Sequence, residues 1–112
     1  MAEVHEEIQM CDAAVTLAFS VLGKRWNGMI VSALGSGPST FVALRRAVAG
    51  ISDTVLSDRL AELADTGLVA RTVDAGPPIT VSYALTPSGR GLLPILDQLG
   101  RWASANLEHR TV

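Results

Sequence analysis

Thr54, Val55, Ser57 and Asp58 are grouped within five positions, and their types suit contact with the edges of nucleic-acid bases better than bond-breaking chemistry. Hydroxyls donate and accept, a valine can touch a thymine methyl, and an outward carboxylate can accept from cytosine N4 or repel phosphate. The bland alternative for all four is a solvated helix face. Around them stand groups able to meet phosphate: Arg45, Arg46, Arg59 and Arg71, with the hydroxyls of Thr40 and Thr80 and, nearby in sequence, Lys24 and Arg25. Residues 40 to 71 also hold Asp53, Asp58, Glu62 and Asp65, so that segment is neutral.

Catalysis finds no foothold. No Ser/His/Asp set, paired-acid site or glycine-rich phosphate loop is arranged along the chain, and "GSGPST" lacks the lysine that would follow in a phosphate loop. His5 and His109 are far apart and read as solvated residues of terminal tails. With no His/Cys cluster at zinc spacing, neither a metal nor another cofactor is expected, and the chain does not read as an enzyme. Cys11 is the single cysteine and cannot form an internal disulfide.

These residues need a scaffold, and 112 residues at 48% hydrophobic suffice for one small core. A formal net charge of -2 argues against the usual basic profile of a nucleic-acid binder, but the excess is local. Glu3, Glu6, Glu7 and Asp12 lie in the first twelve residues, which carry no Lys or Arg. The remaining hundred hold nine basic against seven acidic side chains, a weakly positive body. No apolar run approaches the roughly 18 residues of a membrane span, so a cytoplasmic protein without membrane contact is expected.

Periodicity supplies the elements. "DAAVTLAFSVLG" places Val15, Leu17, Ala18, Val21 and Leu22 at helical spacing before Gly23. A second helix after "KRW" puts Trp26, Met29, Ile30, Ala33 and Leu34 on one face and ends in a Gly/Ser/Pro loop. Thr40 caps a short third helix with Phe41, Leu44 and Val48 inward, and Gly50 closes it. Ser52 caps a fourth, spanning 52–66, in which Leu56, Leu60 and Leu63 share the core face while Thr54, Asp58, Ala61 and Asp65 point away. Two compact helices about Gly50 have the pattern of a helix-turn-helix, although spacing alone favours a plain helical hairpin. "GLVARTV" and "TVSYALT", joined by "DAGPPI", then predict a β-hairpin over 68–85. Thr86 and Pro87 open a long last helix, bent at Pro94, whose apolar stripe includes Leu92, Ile95, Leu96, Leu99, Trp102 and Leu107. The expected fold is mainly α with a small β-hairpin: a winged helix-turn-helix over 11–108, flanked by an acidic flexible tail at 1–10 and a short tail at 109–112.

In this order the motifs resemble the HxlR-type transcriptional regulators, a winged-helix group related to the MarR type. The resemblance rests on Cys11, "LGKRW" at 22–26, Phe41 and Leu44, "GISDTVLSDRLAEL" with "GLVAR" over 50–71, and Pro77–Pro78. It continues through "V.Y.LT" at 81–86, Gly89 and "L.P.L..L..W" at 92–102. It implies a homodimeric bacterial regulator of double-stranded DNA, dimerising through its first and last helices and reading an imperfect palindrome with two recognition helices. Leu17, Leu92, Ile95, Leu96, Leu99 and Trp102 are the dimer-interface candidates, since an uncovered apolar stripe on so small a domain calls for a partner.

Departures from the family pattern thin the basic surface. Thr40, Ala61 and Thr80 stand where the family commonly carries a basic residue, and each change removes a phosphate contact that would support affinity through counterion release. A dimeric interaction or effector-binding module with weak or lost DNA binding is therefore the competing reading. Some family members use the cysteine at the position of Cys11 as a redox or electrophile sensor, which implies an oxidant effector here. Against that, the favoured reading of the residue itself is a small buried side chain near the dimer interface, since "QMCDAA" supplies no cation to favour the Cys11 thiolate and Asp12 works against it. Trp26, Phe19, Met29 and Trp102 either line a pocket for a small-molecule effector or belong to the core.

Overall fold

The structure, a computed structural model, describes residues 12–107. Four helices come first: α1 (Ala13–Leu22), α2 (Asn27–Leu34), α3 (Phe41–Ala47) and α4 (Asp53–Asp65). An antiparallel hairpin of β1 (Val69–Asp74) and β2 (Thr80–Leu85) follows, then α5 (Pro87–Arg90) and α6 (Leu92–Asn106). Side-chain oxygens cap most of the helices, each satisfying an N–H that has no partner within its helix. Asp12 accepts from Ala14 N at 2.7 Å, Thr40 from Ala43 N at 3.1 Å, Ser52 from Val55 N at 3.2 Å and Thr86 from Gly89 N at 3.1 Å. Entry into α2 differs: Trp26 adopts a left-handed backbone, φ 83°, with no side-chain cap.

The core gathers one face from each of several elements. Leu56, Leu60 and Leu63 of α4 are fully buried as their spacing required, against Ile30, Val31, Leu34, Leu44, Val48, Ile51 and Val69. On α2 the expected face holds with one exception: Ile30 and Leu34 are buried and Trp26 and Ala33 pack against the core, joined by buried Asn27 and Val31, while Met29 is 51% exposed.

Two further expectations change. The segment after Thr86 is two helices rather than one bent at Pro94. The chain breaks at Gly91, and Pro94 is the third residue of α6, where its missing N–H would have had no partner in any case. The Gly/Ser/Pro loop, in turn, holds a β-bridge. Ser39 N donates to Tyr83 O at 2.9 Å and Tyr83 N to Ser39 O at 2.8 Å, fastening the hairpin to the segment that leads into α3.

The outer helices contribute no fully buried residue. Leu92, Leu93 and Leu96 lean on the core, but Leu17, Phe19, Ile95, Leu99 and Trp102 are exposed on this single chain. Among the described residues, no helix is long and apolar enough to cross a membrane.

Candidate nucleic-acid interface

Two short helices can present a surface only if the turn between them holds their angle. Gly50, at φ 94°, supplies a left-handed conformation that a Cβ would disfavour. Arg45 Nη1 reaches across to Asp53, 3.0 Å from Oδ1 and 3.2 Å from Oδ2, linking α3 to the first turn of α4. The same carboxylate lies where the helix dipole favours negative charge.

With its leucine face buried, α4 leaves Thr54, Ser57 and Asp58 exposed in its N-terminal half. Val55 is half-buried and packs against the core, so it is less open than the other three. Behind this surface stands the hairpin, in which residues 70–80 are exposed throughout. Arg71 pairs in register with Tyr83, and both line a cleft of about 160 Å³ against Ser57, Leu60, Ala61 and Ala64. Sequence reasoning missed Tyr83. Its place in the run "TVSYALT" gives it the look of an ordinary strand residue, and only the cross-strand register sets it beside Arg71.

The phosphate candidates separate into distinct groups. Thr40 uses its oxygen to cap α3, and Thr80 lies opposite Asp74 in the hairpin register. Arg45 is held by Asp53 as described. Arg59 places Nη1 3.4 Å from Glu62 and donates through Nε to the Arg25 carbonyl at 3.3 Å. Lys24 is likewise engaged, 3.1 Å from Glu62, and the Arg25 guanidinium lies 4.5 Å from the centre of the Trp26 ring. Arg46 and Arg71 are exposed and make no ion pair with a described acid. Cys11 lies outside the described residues. Among the described residues, no group of three or more His, Cys, Asp or Glu side chains could hold a metal ion.

A buried-faced α4 presented by α3, backed by an exposed hairpin, defines a winged helix-turn-helix protein. The model of the HxlR-like helix-turn-helix family matches residues 21–111, and the chain belongs to that family. The HTH-type transcriptional regulator YodB of Bacillus subtilis (strain 168) is 40% identical over 86 residues, covering 77% of each chain. The solved reduced form of YodB matches with a TM-score of 0.79 and 36% identity, over 88% of this chain and 97% of that one. The redox regulator HypR in its oxidized form matches with a TM-score of 0.79 and 32% identity, over 87% of this chain and 100% of that one. The chain is thus a transcriptional regulator of HxlR type, and its relatives are regulators rather than enzymes.

Proposed function

We propose that this chain is a homodimeric, cytoplasmic DNA-binding regulator. It lays the helix over 52–66 in the major groove of a pseudo-palindromic operator and the wing over 68–85 on the flanking backbone or minor groove. The observation that carries the reading is the division of α4: Leu56, Leu60 and Leu63 anchor it in the core while Thr54, Ser57 and Asp58 face solvent. The unit that does this is the single domain 11–108, flanked by the tails 1–10 and 109–112. Dimerisation is supported by the apolar side chains of α1 and α6 left exposed, Leu17, Ile95, Leu99 and Trp102 among them, with Leu92 and Leu96 at their margin.

Arg46 and Arg71 carry the phosphate contacts in this reading, so the Arg46→Ala/Arg71→Ala variant tests it. In fluorescence-anisotropy titrations against duplexes from the region upstream of its own gene, affinity should fall on specific and scrambled DNA alike. The slope of log affinity against log salt should shrink by roughly 1 for each phosphate that is no longer neutralised. Unchanged binding would remove these residues from the interface. No DNA binding by the native protein, even at low salt, would favour the interaction module instead.

Regulation is assigned to Cys11, which stands two positions before α1. The support is that the related HypR is described as a redox regulator and YodB was solved in a reduced form. With one thiol per chain, any disulfide formed on oxidation must join a second subunit or capture a small thiol. Diamide should change the DNA affinity of the native protein and leave Cys11→Ser unaffected; equal responses would exclude Cys11 as the sensor.

A further inference from the structure

Arg59 and Glu62 are one helical turn apart on the flank of α4, between its buried leucines and its exposed reading face. They turn towards the loop over residues 23–26 that joins α1 to α2. Glu62 is gripped from both sides, with Lys24 Nζ 3.1 Å from Oε2 and Arg59 Nη1 3.4 Å from Oε1. Arg59 then reaches the backbone of the same loop through its Nε hydrogen bond to Arg25 O, 3.3 Å. Its side chain is only 24% exposed, which limits its access to a phosphate.

The loop is fastened to α1 in turn. Asn27, 2% exposed, donates from Nδ2 to the Val21 carbonyl in the last turn of α1 at 2.8 Å. Asn27, Lys24, Ser20, Glu62 and Thr66 surround a cavity of about 50 Å³ between the ends of α1 and α4. A continuous polar chain therefore runs from Val21 through Asn27 and the loop to Lys24, Glu62 and Arg59.

We propose that Glu62, held between Lys24 and Arg59, is a positioning residue that locks the flank of α4 to the loop at the end of α1, so that the reading helix follows the position of α1. The inference rests on α4 being the reading helix. It gives Lys24 and Arg59 a different task from phosphate neutralisation. Isolated exposed ion pairs contribute little, but here three charged groups and a backbone carbonyl share one network, and a network restricts orientation more than a pair does. α1 contributes no fully buried residue to its own chain, so whatever covers its exposed face acts on α4 through this connection.

The test uses the full chain with Lys24→Met, Glu62→Gln and the double variant, on the tightest duplex that the native protein selects from a random library and on a scrambled control. Positioning predicts that each single variant lowers the selected-over-scrambled affinity ratio by roughly three- to ten-fold, with the salt slope unchanged and the double variant no worse than either single. Hydrogen exchange along 53–65 supplies a readout without DNA, and both single variants should raise exchange there while the chain stays folded. A fall in the salt slope of Lys24→Met, with equal loss on both duplexes, would make Lys24 a phosphate contact and overturn the proposal. Additive losses, or native exchange rates in both variants, would overturn it too. If the native protein shows no selective binding, the reading function itself has failed, and exchange alone decides whether the lock exists.

Discussion

Gly89→Ala should lower the midpoint of thermal unfolding more than any surface substitution in this protein. Gly89 is buried where the start of α5 docks on the turn between α4 and β1. There Thr86 N donates to Leu68 O at 3.1 Å, and Thr86 Oγ1 donates to Gly67 O at 2.6 Å while accepting from Gly89 N. A Cβ on residue 89 would overlap the Leu68 carbonyl oxygen and press on the Leu85 side chain. Backbone cannot step aside as a side chain can, so β1 or α5 has to shift. Overpacking of this kind costs about 3 kcal/mol, which for a domain of this size lowers the midpoint by roughly 10–20 °C. Thermal unfolding followed by circular dichroism checks it. An unchanged midpoint would mean that the close approach of α5 to Leu68 does not contribute to stability.

Charging the exposed face of α6 should have the largest effect on function. Leu99 and Trp102 are 52% and 54% exposed in the single chain, so Leu99→Glu/Trp102→Glu leaves the fold of the protomer intact. If these side chains meet a second copy, the carboxylates lose hydration without a partner, and the dimer dissociates. Light scattering should then report half the native mass, with an unchanged far-ultraviolet spectrum. Loss of the second reading helix removes the linkage between two half-sites, and operator affinity should fall by about 100-fold or more. A variant that keeps the native mass would place the subunit contact elsewhere.

Much of this architecture is legible in the chain. The caps at Thr40, Ser52 and Thr86, the leucine spacing of α4 and the two strands of the hairpin all follow from local sequence. Each depends on residues within about one turn or one hairpin of each other, the range over which capping and periodicity act. Expectation and structure part where a local signal meets a longer-range constraint. Met29 fits the apolar stripe by spacing but is left 51% exposed while the rest of the stripe packs on the core, and Pro94 signals a bend that Gly91 has already turned into a break.

The surface is less legible than the core. The sequence alone determined that α4 has one leucine face and one polar face, and that four arginines are available around it. It also determined the family, through motifs carried in order from Cys11 to Trp102. Only the tertiary structure decided what those charges do. Arg45 is turned to Asp53, Arg59 and Lys24 converge on Glu62, and Arg46 and Arg71 are left exposed. The physical reason is that capping and helical faces are properties of neighbours along the chain. An ion pair between residues 38 positions apart, as for Lys24 and Glu62, exists only once packing of the buried faces has set which flanks of two elements meet.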